Sequence, residues 1–160
     1  MGFGVTRAAT AGKVVQRVNT QIEAAATGAT VLPHDNSIPQ ITEGNEYMTL
    51  AITPTNASNI LVIEVEIMVA ASAVAMLTAA LFVGSTVDAL SAQATAGSSS
   101  SSPETLSFTH SMVAGVATSL TFRVRAGPGA AATMTFNGYS GARVYGAIPK
   151  SSMTITEYTP

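Results

Sequence analysis

The sequence predicts an all-β fold: an eight-stranded, antiparallel sandwich of two sheets with jelly-roll (TNF-like) topology. Three observations support this prediction. Apolar and polar side chains alternate along several segments, with the two-residue period of a strand that has one buried face. Clusters of Pro, Gly, Asn and Ser separate these segments. No segment carries a convincing helical pattern, and several short strands with turns between them are typical of a two-sheet sandwich.

Four strands are predicted in the first half of the chain, at 13–24, 47–53, 60–70 and 76–83. The clearest is the third, whose alternate residues form an unbroken apolar row: Leu61, Ile63, Val65, Ile67 and Val69. Glu64 and Glu66 lie on its other face, and a helix would scatter these residues differently. The fourth strand is rich in Ala and fits a helix on propensity alone. The β pattern around it favours a strand.

Four more strands are predicted in the second half, at 105–113, 119–126, 132–137 and 152–158. Within the second of these, the apolar residues face inward and Arg123 and Arg125 face outward. Three other segments are rich in Pro, Gly, Asn or Ser and are predicted to be loops: 27–44, 96–103 and 138–150.

The strand order of a jelly roll leads to one specific expectation. The third and sixth strands are neighbours in one sheet of that fold, which here means 60–70 and 119–126. Glu64 and Glu66 should then face Arg123 and Arg125 across the two strands. Opposite charges in such positions stabilise a sheet by a few tenths to about 1 kcal/mol.

Charged residues are scarce. They make up 10% of the 160 residues, against roughly 25% in an average domain. Ala, Thr, Ser and Gly replace them, and a surface so poor in charge is weakly protected against association. This composition favours a surface that other subunits cover. The alternative is an ordinary extracellular or thermotolerant β domain with a Ser/Thr-rich exterior.

The composition disfavours several other functions. The net charge is −2 and the basic residues are scattered, so we expect no nucleic-acid partner. The sequence holds no Cys, which excludes disulfides and thiolate chemistry. The N-terminus lacks the pattern of a signal peptide, and the longest mostly apolar stretch, 60–83, alternates and contains two glutamates. We therefore expect no membrane partner.

Two groups of side chains have the composition of a metal or catalytic site. His34 and Asp35 have no obvious third ligand nearby, so they are more typical of a solvated turn than of a metal site. His110 and Asp88 can be combined with a serine into a triad on paper. No Gly-x-Ser-x-Gly motif supports that triad, and His110 shares a strand face with apolar residues. We expect neither site, and no cofactor.

Two further groups have an alternative that involves sugars. Glu64 and Glu66 are about 7 Å apart on one strand face, a spacing that suits a glycosidase pair but more often belongs to a solvated or Arg-paired face. Tyr139, Tyr145 and Tyr158 can form a sugar-stacking surface or interface anchors, and we favour the interface. We therefore expect no catalytic residues and no enzymatic activity.

The order of several segments is similar to that of a known group of proteins. A Gly-Lys-Val-Val-Gln run at 12–16 leads into a strand, Leu-Ala-Ile-Thr-Pro follows at 50–54, and Ile-Leu-Val-Ile-Glu-Val begins at residue 60. The chain closes with Ser-Met-Thr-Ile-Thr-Glu-Tyr at 152–158. Over most of 12–158 it resembles the small jelly-roll structural modules of tailed phages, which serve as capsid-decorating (cement) proteins or fibre tips. The resemblance rests on strand patterns and not on catalytic motifs.

The resemblance implies a β-sandwich, usually trimeric, on the surface of a virion. The absence of a fibrous shaft favours a capsid cement protein of bacteriophage type over a complete tail fibre. We expect a homotrimer that binds the major capsid protein or other virion proteins, with residues 1–12 as an extended arm and 13–160 as one jelly-roll domain. The alternatives are a lectin-like, receptor-binding fibre tip that uses Tyr139 and Tyr145, and a hydrolase built around His110.

Overall fold

The protein folds as two antiparallel β-sheets that pack face to face. The computed structural model describes residues 12–97 and 102–160. In chain order the strands are β1 (Val14–Ile22), β2 (Ala26–Gly28), β3 (Asn45–Ile52), β4 (Ile60–Ala71), β5 (Ala75–Val83), β6 (Ser91–Gly97), β7 (Glu104–Val113), β8 (Leu120–Pro128), β9 (Met134–Phe136), β10 (Gly138–Tyr139), β11 (Ala142–Arg143) and β12 (Ser151–Tyr158). A 3-10 helix spans Tyr145–Ala147. Within the described residues, no helix has the length and hydropathy of a membrane span.

The strand order identifies the topology. The first sheet has the order β1-β12-β4-β7, and the short strands β9 and β2 extend it beside the end of β4. The second sheet has the order β3-β8-β5-β6. Numbered 1 to 8 along the chain, the eight longer strands are arranged 1-8-3-6 and 2-7-4-5, the order of a jelly roll. The predicted eight-stranded, all-β jelly-roll sandwich is confirmed.

One long strand is not predicted from the sequence. Residues 91–97 form β6, whose sequence Ser-Ala-Gln-Ala-Thr-Ala-Gly shows no alternation of large apolar side chains. The segment 132–137, predicted as a main strand, contributes only the three residues of β9. The strand at 104–113 is therefore the sixth long strand, and the strand at 120–128 is the seventh.

The expected pairing of charges across neighbouring strands is wrong for this reason. Glu64 and Glu66 project from β4 in the first sheet, whereas Arg123 and Arg125 project from β8 in the second. Both arginines contact Glu46 on β3 instead, with nitrogen–oxygen distances of 3.0 and 3.6 Å. The rule that the third and sixth strands are neighbours still holds, because β4 pairs with β7 along its length.

The main core lies between the two sheets, and a smaller one lies outside the second sheet. The apolar row predicted for β4 faces inward and is buried throughout, and Phe122 and Val124 of β8 pack from the opposite sheet. On the outer side of the second sheet, Leu32 covers Ala80 and Phe82 of β5. Because Leu32 belongs to the long connection between β2 and β3, the chain itself covers part of this outer face.

A buried polar contact holds the first residue of β12. Strand β4 pairs with β12 as far as Glu66 and with β9 from Val69, so the backbone of Met68 lies at the junction. The Met68 amide donates to the Ser151 hydroxyl at 3.0 Å, and its carbonyl accepts from the Asn137 amide at 2.9 Å. The Ser151 hydroxyl donates to the Asn137 side-chain oxygen at 2.6 Å. Both backbone groups of Met68 are therefore paired, as buried backbone groups require.

A buried carboxylate holds the other end of β12. Glu157 is fully buried, and its oxygens accept hydrogen bonds from the Gln16 and Asn59 side-chain amides, each at 2.6 Å. The backbone amide and the hydroxyl of Thr55 donate to it at 2.8 and 2.9 Å. Burial raises the pKa of Glu157, but these hydrogen bonds together outweigh burial and lower it to about 2. The ionised carboxylate thus joins β1, β12 and the connection between β3 and β4.

Acid unfolding is expected to depend on Glu157. Because its pKa is lowered in the folded protein, its contribution to stability is complete above the ordinary value of 4.5 and is lost as the pH falls towards about 2. The contribution is on the order of 3 kcal/mol. Glu157→Gln should lower the free energy of unfolding at neutral pH by an amount of that order. It should also flatten the decline of stability in acid.

Urea denaturation followed by circular dichroism, at neutral pH and at about pH 3, measures both effects. Glu23→Gln is the matched control, because Glu23 is an exposed glutamate just after β1 and its ion pair with Lys150 is exposed to solvent. The control should leave both quantities unchanged. An equal loss of stability in acid for Glu157→Gln and for the wild type would contradict the role of this carboxylate.

Candidate interaction surfaces

The structure separates the members of the hypothetical Ser-His-Asp site. Asp88 lies in the connection between β5 and β6 and accepts a hydrogen bond from the Gln40 side chain at 2.9 Å. His110 lies in β7 of the other sheet, opposite Ile63, where it is half-buried. Burial lowers the pKa of its imidazole. His110 and Asp88 therefore belong to different sheets and do not form a triad.

His34 and Asp35 form part of a turn beside a surface cleft. The Asp35 side chain accepts hydrogen bonds from the hydroxyl and the backbone amide of Ser37, at 2.5 and 2.8 Å. These two bonds lower the pKa of Asp35, the hydroxyl more than the amide. The arrangement is an Asx turn. Among residues 12–97 and 102–160, no three His, Cys, Asp or Glu side chains are grouped to hold a metal ion.

Tyr139, Tyr145 and Tyr158 do not share one surface. Tyr139 lies in β10 and Tyr145 begins the 3-10 helix, so both belong to the segment that precedes β12. Tyr158 is the last residue of β12, and the extended strand separates it from that segment by about 24 Å. Tyr145 and Ile148 are each 80% exposed. Any surface built on tyrosine therefore involves Tyr139 and Tyr145 without Tyr158.

The outer face of the first sheet carries rows of hydroxyl and amide side chains. Three rows of paired residues cross β7, β4, β12 and β1 in that order: Ser107, Glu66, Ser152 and Gln21; Thr109, Glu64, Thr154 and Asn19; and Ser111, Val62, Thr156 and Arg17. We call these twelve residues the polar face. Side chains at such cross-strand positions lie close enough to interact with one another.

Three charged residues on the polar face surround a groove of about 430 Å³. Glu64 and Glu66 are exposed on β4, and Arg17 is exposed on β1. Within the described chain, none of the three has an ion-pair partner within 4.0 Å. The glutamates are evident from the sequence, but their proximity to Arg17 is not, because that proximity depends on the insertion of the last strand, β12, between β1 and β4. No local sequence signal carries this information.

The charges on the outer face of the second sheet are arranged differently. Glu46 contacts both Arg123 and Arg125. The Arg125 guanidinium also donates to the carbonyl oxygens of Glu43 and Gly44, at 2.9 and 2.7 Å. These charges therefore find their partners within the same chain, whereas the charges of the polar face find none among residues 12–97 and 102–160.

The predicted arm, residues 1–12, lies outside the described residues apart from Gly12. The point where it joins the domain is well defined. The Lys13 amide donates to the Thr159 hydroxyl at 3.0 Å, and the Thr159 amide donates to the Lys13 carbonyl at 2.9 Å. A Cβ on Gly12 would lie 1.9 Å from the Thr159 carbonyl oxygen, so only glycine fits here. The arm thus leaves the domain beside the end of β12.

Comparison with known proteins finds likenesses at low sequence identity. No protein-family profile matches the sequence, and no characterised protein sequence matches it. Among solved structures, a CBM4 shares 13% identity with this chain, at a TM-score of 0.43 over 81% of this chain and 76% of its own. The VP2 subviral particle of infectious bursal disease virus shares 14% identity, at a TM-score of 0.41 over 100% of this chain.

A Bacillus endospore appendage protein shares 16% identity at a TM-score of 0.32, over 96% of each chain. The chain spans 42% of the length of the VP2 chain that it matches. Solved structures with this degree of likeness thus include viral capsid proteins. The jelly-roll assignment itself rests on the strand order described above.

Proposed function

We propose that this protein is a virion structural protein, and specifically a cement protein that binds the surface of an assembled capsid as a homotrimer and catalyses no reaction. The observation that carries the proposal is the polar face, a sheet surface made mostly of hydroxyl and amide side chains, whose charged residues are exposed and unpaired within the described chain. Only Thr154 and Thr156, in its central strand, are buried. A surface with so few charges resists association weakly. The charge content of 10% extends this property to the whole molecule.

The distribution of charge on the polar face suits a ring of identical subunits. A closed ring of three uses a head-to-tail contact, in which one patch meets a different patch on the next copy. Arg17 lies on one side of β12 and the two glutamates on the other. Their strands are two spacings apart, and Glu64 and Glu66 lie two and four residues along β4 from the residue in register with Arg17, so the backbone positions of opposite charge are about 12 and 17 Å apart. Arg17 of one copy can therefore meet Glu64 and Glu66 of the next. Such complementarity supports association of copies through the polar face, and in the proposed trimer it fixes the order of contacts around the ring.

Charge reversal tests this contact. Arg17→Glu should weaken the trimer, and the double change Glu64→Arg with Glu66→Arg should weaken it similarly, because each places like charges opposite one another. Each loss should be about tenfold or more in the association constant. The three changes combined should restore much of the association. Sedimentation equilibrium of the full chain measures all four proteins.

The control is Glu23→Arg, which reverses an exposed charge whose nearest cation, Lys150, lies 3.6 Å away. The association constant of this variant should equal that of the wild type. A wild-type chain that stays monomeric at high concentration would contradict the homotrimer. A trimer that withstands both reversals would contradict the assignment of the polar face as its interface.

The proposed mechanism of a cement protein is thermodynamic. A ligand that binds the assembled shell, but not its separated subunits, stabilises the shell by about 2.7 kcal/mol when its concentration is a hundred times its dissociation constant. No chemical step is needed, which agrees with the separation of His110 from Asp88 between the two sheets. The arm at 1–12 is the proposed contact with the shell. It joins the domain at the hydrogen-bonded pair of Lys13 and Thr159.

Deletion of residues 1–12 tests the role of the arm. Because the contacts of Lys13 with Thr159 remain, the truncated chain should keep its fold and its unfolding temperature. Its affinity for purified shells of its own virus should fall at least about tenfold. Co-sedimentation of each protein with shells measures binding, and the melting temperature of the shells measures cementing. Unchanged binding would refute the role of the arm, and a full-length chain that neither binds nor stabilises shells would refute the cement function.

The second candidate is a receptor-binding, lectin-like fibre tip, and the exposure of Tyr145 favours it. Tyr145, Gly146 and Ala147 all have positive φ, of 47°, 63° and 68°, and non-glycine residues in this conformation are uncommon. The turn presents Tyr145 and Ile148 to solvent. The full chain and Tyr145→Ala on a glycan array test this candidate. Binding that Tyr145→Ala abolishes would support a tip, and an array without binding would leave the cement function as the better account.

A further inference from the structure

A cleft outside the second sheet has the features of a small-ligand site. It has a volume of about 230 Å³, below the roughly 300–1,000 Å³ of sites for drug-sized molecules. The connection between β2 and β3 forms one wall, with Pro33, His34, Asp35 and Ser37, and Thr78 of β5 lines the other side. The cleft lies on the opposite sheet from the polar face, so a trimer formed through that face leaves it open.

Thr78 carries an unsatisfied hydrogen-bonding group at this cleft. The residue is only 5% exposed, and its hydroxyl oxygen is buried without a hydrogen-bond partner in the described chain. The topology explains why no partner is available, because the residues opposite Thr78 on the two neighbouring strands are Ala94 and Gly127, which have no polar side chain. A buried hydroxyl without a partner is unfavourable. A hydroxyl-bearing ligand in the cleft is one way to satisfy it.

The wall of the cleft is held in place before any ligand binds. The Leu32 amide donates to the Pro128 carbonyl at 2.9 Å, and the Ala89 amide donates to the Pro39 carbonyl at 2.9 Å, so both ends of the 33–38 segment are fixed. The Asx turn at Asp35 fixes its middle. A site that is already ordered avoids much of the entropic cost of binding.

The side chains around the cleft define the class of ligand. A carboxylate, an imidazole, the Gln93 amide and two hydroxyls supply donors and acceptors, and the rings of Pro33 and Pro39 supply apolar surface. The Asp35 carboxylate disfavours anions, and it is the only carboxylate among the residues that line the cleft, too few for a metal site. We propose that this cleft binds one neutral sugar unit, such as a hexose or an N-acetylhexosamine at the end of a glycan.

This inference goes beyond the cement function and does not depend on it. Sugar binding by the isolated chain requires neither the arm nor the polar face. It also differs from the tyrosine-based surface of the fibre-tip candidate, since Tyr139 and Tyr145 lie in the segment between β9 and β12 and do not line the cleft. A failure of sugar binding would therefore leave the test of the cement function unaffected.

Titration of the 15N-labelled full chain with glucose, galactose, mannose and N-acetylglucosamine, each alone, tests the proposal. At least one sugar should shift the amide resonances of 34–38 and of Thr78, with a dissociation constant on the order of 1–10 mM for a ligand of this size. No shift in these resonances at ten times that range, about 100 mM, would overturn the proposal. Shifts confined to the polar face or to the Tyr145 turn would overturn it as well.

Thr78→Val tests the hydroxyl directly, because valine has nearly the same shape and lacks only this group. Binding should weaken about five- to tenfold, while the unfolding temperature should stay the same or rise because an unsatisfied polar group has been removed. Thr109→Val, the same change at an exposed position on the other sheet, is the matched control and should bind like the wild type. His34→Ala should also weaken binding. Wild-type affinity in both Thr78→Val and His34→Ala would overturn the site.

Discussion

The structure depends most on one buried charge, the carboxylate of Glu157. A buried carboxylate is tolerated only when hydrogen bonds replace its hydration, and here neutral groups supply all of its hydrogen bonds. Gln16 lies opposite Glu157 only because a bulge places one extra residue, Val15, in β1. The carboxylate therefore fixes the register of β1 against β12. Through Thr55 and Asn59 it also fixes the connection that turns from the second sheet into the first.

The opposite end of β12 is fixed by Ser151 and Asn137, so this strand is held at both of its ends. This has a consequence for the polar face. β12 lies between the strand that carries Arg17 and the strand that carries Glu64 and Glu66, and its register sets the position of the charges relative to one another. Two buried polar contacts in the first sheet thus determine the pattern of charge that its outer face presents.

The sequence predicts what is periodic and misses what depends on distant parts of the chain. The inward row of β4 and the outward arginines of β8 are correctly predicted, because large apolar side chains mark the buried face. Strand β6 escapes because Ala, Ser and Thr give no contrast between its faces, and that single omission misplaces Glu64 and Glu66 against Arg123 and Arg125. Glu157 escapes for a related reason. It shares the buried face of β12 with Met153 and Ile155, four and two residues earlier. The hydrogen-bond donors that make its burial possible are more than 95 residues away in the sequence.

The two outer faces of the sandwich differ in a way that favours assembly through the first sheet. On the second sheet, Leu32 covers Phe82, and Glu46 is paired with Arg123 and Arg125, so the chain satisfies that face largely by itself. On the first sheet, no comparable segment of the described chain covers the three rows of the polar face, and its charges have no partners there. Hydroxyl side chains keep such a face soluble, yet they give up their hydration more easily than charges do. A protein built in this way can remain dissolved before assembly and still bury a whole sheet face once a matching surface is available.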